Sequence, residues 1–136
     1  MDGLPLFAML KGQMDYSAQR QRVVAQNVAN ADTPGYTPTD LKPYAFADVL
    51  RGSGAPGPVA PSLTHAAHLE GRPLPPASPW KPAEAPDSET RLDGNQVVLE
   101  EQMMKMQEAR ADQDAAITLY QQSLTMLRTA LRKPGG

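Results

Sequence analysis

Apolar side chains recur at alternating steps of three and four residues at both ends of the chain, and the rhythm is lost between them. Near the N-terminus the stripe runs Phe7, Leu10, Met14, Ser17, Gln21, Val24, Val28 and Ala31. Near the C-terminus it runs Leu99, Met103, Met106, Arg110, Gln113, Ile117, Tyr120, Leu124, Leu127 and Leu131. A period of about 3.5 residues puts each set on one face of a helix, as in a coiled-coil seam rather than a broad globular face. Each helix therefore needs a partner.

Proline and glycine set the boundaries. Pro5 suits a first helical turn, where its missing N–H removes no bond, and Pro34 disfavours the α conformation at Thr33. The first helix is expected over residues 5–30, interrupted by Gly12 at a cost of about 1 kcal/mol relative to Ala. Pro34-Gly35 fits the central positions of a type II turn, and Asn27, Asn30 and Asp32 can bond to backbone groups that the ending helix frees. The second helix is expected over residues 98–132, capped by Asn95 or a residue just after it. Glu100 and Glu101 in its first turn, and Arg128, Arg132 and Lys133 in its last, complement its dipole. At 1.5 Å per residue the two helices would be roughly 40 and 50 Å long.

These elements imply a mainly α fold: two long terminal helices forming an antiparallel, coiled-coil-like pair, joined by a long irregular Pro/Gly-rich segment. The expected division is an N-terminal helical part over 1–33, an extended and irregular part over 34–97, and a C-terminal helical part over 98–136. An antiparallel register that sets Ser17 near Gln113 and Gln21 near Arg110 would align the polar interruptions and bring Phe7 opposite Leu124. Buried polar seam residues of this kind fix register; the alternative is that these positions face solvent at a local break. The apolar residues off the seam, Leu6, Val23, Ala115, Ala116, Leu119 and Met126, are either contacts to neighbouring subunits or scattered surface positions.

The middle is poor in folding material. From Gly52 to Gly94, 14 of 43 residues are Pro or Gly, a density at which a segment is hard to fold alone. Leu41, Tyr44 and Phe46 offer small anchors before a short helical stretch at 45–50, and one denser patch follows at 63–69. With 13 basic and 15 acidic residues and no block of like charge, no nucleic-acid footprint is present. Cysteine is absent, which excludes disulfides and thiolate metal sites. No window reaches the ~18 apolar residues of a membrane span, and the first residues lack the pattern of a cleaved signal.

The most specific string is Asn27-Val28-Ala29-Asn30-Ala31-Asp32-Thr33-Pro34-Gly35-Tyr36. It resembles the NxANxxTPGY signature of the bacterial flagellar rod and hook family, carried here by Asn27, Ala29, Asn30, Thr33, Pro34, Gly35 and Tyr36. Asp93-Gly94-Asn95-Gln96-Val97 resembles the DGNxV segment before the closing helix of the family's proximal rod member, with Asp93, Gly94, Asn95 and Val97 as the matching residues. The 63–69 patch is similar to that member's central Thr/His segment. The resemblance implies a structural subunit of the basal-body rod, helically assembled into a hollow drive shaft that transmits torque around the export channel. It also implies type III export and a place in the periplasm. The implied partners are copies of the chain itself, other rod proteins, and the basal-body ring and export-gate adaptor at the rod base.

Sharper chemistry finds little support. His65, His68 and Glu70 could approach a metal ion, but a Pro-rich context lacks the rigidity that ligation needs. No nucleophile, base and orienting acid fall into a recognisable arrangement, and no phosphate loop is present. No enzyme activity, metal or cofactor is expected. Met103, Met104 and Met106 read either as an adaptable helix-binding surface or as core. Trp80 reads either as an anchor for a neighbour's pocket or as an exposed linker side chain. The functional alternative to a rod subunit is a helical adaptor or export chaperone that binds a client helix.

Overall fold

The computed structural model describes residues 5–45 and 80–132. Helix α1 spans Pro5–Ala29 and helix α2 spans Leu99–Leu131. Between them strand β1, Thr39–Asp40, pairs antiparallel with strand β2, Ala83–Glu84, with Thr39 opposite Glu84. Both helices lie within two residues of their expected bounds, because the proline that opens α1 and the Pro34 turn that follows it act locally. The expected helical stretch at 45–50, the 63–69 patch, His65, His68 and the terminating Pro134-Gly135-Gly136 lie outside the described residues, apart from Ala45.

The helices pack along their length, through a seam that differs from the expected one on α2. Phe7, Leu10, Ser17, Val24 and Asn27 are buried on α1, and Gln102, Ala109 and Ala116, seven residues apart, are buried on α2. Two of these three α2 residues are alanines, which leave room for the larger side chains of α1. Met14, Met106, Ile117, Tyr120, Leu124 and Leu127 are accordingly half-buried. Leu99, Met103 and Leu131 are not seam residues: they are 46%, 65% and 69% exposed. Val28 is also exposed, its place inside the pair taken by Asn27.

The cross-helix contacts differ from the expected pairs, by one turn in opposite senses at the two sites. The Phe7 ring meets Tyr120 edge-on at 5.3 Å, one helical turn short of Leu124. Gln21 donates from Nε2 to Gln113 Oε1 at 2.6 Å, whereas Arg110 is exposed and Ser17 accepts from Gln13 on its own helix. The polar interruptions therefore yield one cross-helix bond rather than two layers. In this cysteine-free chain, Cys replacements at 7 and 120 are expected to cross-link under mild oxidation faster than a 7/124 pair; the opposite order would restore the expected register.

A second face of α1 is covered by the extended segment. Tyr16 and Val23 are buried against Leu41, with Tyr44 and Trp80 packed on them. Trp80 lies edge-on to Tyr16 at 5.7 Å and to Tyr44 at 6.2 Å, so its anchor is within its own chain. The Tyr44 hydroxyl donates to the Met9 carbonyl at 3.1 Å, passing over Gly12, where an added methyl would collide with it. Gly12 thus exchanges helix propensity for a docking notch. Gly12→Ala is expected to unseat Tyr44 despite a local gain of about 1 kcal/mol, giving a red-shifted emission from Trp80, the single tryptophan. An unshifted emission with a raised melting temperature would show that Tyr44 adapts.

Candidate functional site

The two signature strings meet where α1 ends and α2 begins. Asn27, with no exposed surface, makes four hydrogen bonds. Its Nδ2 donates to the Thr39 carbonyl at 2.7 Å and to Gln102 Oε1 at 2.9 Å. Its Oδ1 accepts from the Thr39 N–H at 3.0 Å and the Tyr36 hydroxyl at 3.1 Å. One amide thereby fastens α1 to α2 and to the first residue of β1. Its role is wider than a helix terminus, where the sequence reading placed it. Asn30 does act at the terminus, donating to the Gln26 carbonyl at 2.8 Å and accepting from the Thr33 hydroxyl at 3.1 Å.

The reversal follows directly. The Tyr36 N–H bonds to the Thr33 carbonyl at 3.3 Å and Gly35 has φ +71°, as the second central residue of a type II turn requires. Gly94, at φ +82°, brings its Cα side so near Gly35 that a methyl there would lie 3.3 Å from the Gly35 Cα. Backbone bonds tie the turns together: Gly35 N–H to the Asp93 carbonyl, and Gln96 N–H to the Tyr36 carbonyl, each at 3.0 Å.

Asn95 closes the junction. Fully buried, it donates from Nδ2 to the Asn30 and Thr33 carbonyls at 3.0 and 2.7 Å, and its Oδ1 accepts from the Val97 N–H at 2.9 Å. Expected as the cap of α2, it satisfies carbonyls past the end of α1 instead. Val98 stands at the N-cap of α2 without a side-chain cap bond of its own.

The start of α2 is held by a residue from further back. Asp87 accepts from the Val98 N–H at 2.9 Å, Gln102 Nε2 at 2.8 Å and Lys105 Nζ at 2.9 Å, and its side chain has no exposed surface. Burial alone would raise its pKa, but the bonds from Gln102, the Val98 N–H and Lys105 outweigh burial and hold it below the usual carboxylate value. Gln102 relays between Asp87 and Asn27. On the same side of α1, Arg20 grips both Asp40 oxygens, at 3.1 and 3.2 Å, and reaches Glu108 at 3.2 Å.

The structure brings together Asn27, Asn30, Thr33, Gly35, Tyr36, Asp93, Gly94, Asn95 and buried Val97. Ala29 and Pro34 are exposed. Asp32 pairs with Arg91 at 3.5 Å, not with the helix backbone. Sequence reasoning missed Asp87, Gln102 and Lys105; the visible signal was the seven-residue spacing of Gln102, Ala109 and Ala116. Among the described residues, no buried side-chain nitrogen or oxygen lacks a partner, no group of three His, Cys, Asp or Glu side chains could hold a metal, and no helix is long and apolar enough to cross a membrane. A fully satisfied polar network is suited to fixing one geometry.

Residues 14–37, which span most of α1 and its turn, match the flagella basal body rod protein family. The chain is 33% identical over 124 residues to the flagellar basal body rod protein FlgB of Salmonella typhimurium, covering 88% of this chain and 82% of that relative. It is 39% identical over 89 residues to FlgB of Escherichia coli, covering 62% of each chain, so the match spans under two thirds of that relative's length.

Proposed function

The chain belongs to the flagellar basal body rod protein family, and from that premise we propose that it is a structural subunit of the rod, without enzymatic activity. It assembles with other rod proteins into the shaft of the basal body. Its position is proximal, at the base of the rod, where copies of it surround the export channel and transmit torque across the periplasm. There it meets the ring and export-gate adaptor. The helix pair formed by 1–33 and 98–136 is the inner part, and 34–97 the outer.

The observation that carries this reading is the interlock of the two signature turns. The first string supplies the Asn30 and Thr33 carbonyls and the second supplies the Asn95 amide that binds both. Such a joint fixes the helix pair relative to the outer segment, which a load-transmitting subunit requires. A helical adaptor would need a seam open to a client helix, but α1 and α2 fill one another's.

The test is electron microscopy of basal bodies purified from cells carrying a tagged copy, beside a deletion strain scored for motility. Label at the base of the rod, with rods and motility lost on deletion, is the expected result. Intact, unlabelled rods in both strains would refute it.

A further inference from the structure

A cleft of about 590 Å³ lies between α1, the two strands and α2, and none of the residues that join the signature turns lines it. Its charge is unbalanced: Asp40, Glu84, Glu108 and Asp112 line it against Arg20 and Lys42. Arg20 is already committed to Asp40 and Glu108, whereas Glu84 and Asp112 pair with no base among the described residues. Two carboxylates therefore stand ready for a cation from outside.

Two tyrosines share the cleft, with Tyr16 and Tyr44 ring centroids 5.7 Å apart. Tyr16 is only 5% exposed, yet its hydroxyl bonds to no described residue. Burial holds that hydroxyl's pKa above its ordinary value; Arg20 opposes the rise, and the charges of Asp40, Glu108 and Asp112 add to it. All four of those residues line the cleft, so the hydroxyl opens onto it. A phenolic oxygen in that place accepts a hydrogen bond from an entering N–H, and tyrosine faces attract cations.

The cleft also borders a strand edge. In an antiparallel pair, opposed residues either exchange both backbone bonds or turn both groups outward. Asn27 takes the N–H and carbonyl of Thr39, and the Ala85 N–H bonds to the Pro38 carbonyl at 2.8 Å, so Thr39 and Glu84 are the outward-turned pair. The Glu84 N–H and carbonyl thus lie on the outer edge of β2, where no described residue bonds them. Ala83 and Glu84 are exposed, and Ala83, Glu84 and Ala85 all line the cleft. An open edge beside a side-chain pocket is the arrangement by which sheets bind extended peptides.

We propose that this cleft is a binding site for a basic side chain carried by an extended peptide segment, the backbone of which pairs with Glu84 at the edge of β2. The ammonium or guanidinium group sits between Glu84 and Asp112, against the Tyr16 hydroxyl. The backbone bonds supply affinity and the carboxylates select a cation. The proposal does not rest on the rod-subunit reading.

The test is an NMR titration of the nitrogen-15-labelled full-length protein at low salt with blocked Val-Arg-Val and Val-Gln-Val tripeptides. The arginine peptide is expected to bind at least about fivefold more tightly, with the ratio falling as salt rises, and to shift the Glu84 N–H signal. Glu84→Gln with Asp112→Asn should abolish the preference. Neither side chain bonds to a described residue, so folding is preserved, and circular dichroism checks it. Tyr16→Phe keeps the buried ring and should weaken the arginine peptide by about threefold, as loss of one hydrogen bond does. Equal affinity for the two peptides, or a preference that survives the double replacement, would overturn the proposal. An unmoved Glu84 signal on binding would overturn the strand pairing. Spermidine that binds as tightly as the arginine peptide and displaces it would replace the peptide with a free polyamine.

Discussion

Replacing Asn27 by Ala is expected to cost about 3 kcal/mol or more, lowering the thermal midpoint by roughly 10 °C or more. The side chain is fully buried and all four of its hydrogen-bonding sites are used. Truncation strands Gln102 Oε1, both backbone groups of Thr39 and the Tyr36 hydroxyl inside the junction, and each stranded buried group costs about 1–3 kcal/mol before any water enters. Asn27→Asp should be no milder at neutral pH. Its carboxylate still accepts from the Thr39 N–H and Tyr36, but it opposes the Thr39 carbonyl and Gln102 Oε1 with a second oxygen and adds an unpaired buried charge. Circular dichroism melts of the full chain decide: a midpoint for Asn27→Ala within a few degrees of the parent would show that the amide is peripheral.

That sensitivity explains what the sequence could and could not reveal. The helices were legible because their causes are local: period, a proline able to begin a helix, a proline able to end one. The turn at Thr33–Tyr36 was legible because only a few residue types suit its central positions, and Gly35 adopts the positive φ expected there. The seam of α2 was not, since it depends on which small residues of α2 admit α1, and Ala109 and Ala116 carry too little hydrophobicity to stand out beside Leu99, Met103 and Leu131. The large apolar residues suggested the seam; two alanines and a glutamine are the residues α2 buries in it.

The junction was half legible for a related reason. Asn27, Asn30 and Asn95 could be singled out, but an amide has two donors and two acceptors and its sequence does not say which neighbours use them. Asn95 was expected to serve α2 and instead serves carbonyls past the end of α1, 62 and 65 residues away. Trp80 looked like a side chain in search of a neighbour's pocket because its own pocket, Tyr16 and Tyr44, is assembled from positions distant in the chain.

Asp87 makes the second large effect, and its pH dependence separates charge from shape. Asp87→Ala strands the Val98 N–H, Gln102 Nε2 and Lys105, and is expected to cost about 3 kcal/mol at neutral pH. Asp87→Asn keeps the volume and one acceptor but presents an amide donor where the parent has a carboxylate oxygen, so it should recover only part of the loss. The folded-state carboxyl is held below its ordinary value, which is about 4 in an unfolded chain. Its contribution is therefore complete above that value and fades as pH falls through the lower folded-state one. Denaturant unfolding followed from pH 7 downward should show the parent and Asp87→Asn proteins converging below about pH 4. A gap that stays constant over that range would mean that shape alone holds the start of α2, and that the ionised carboxylate between Gln102 and Lys105 adds nothing.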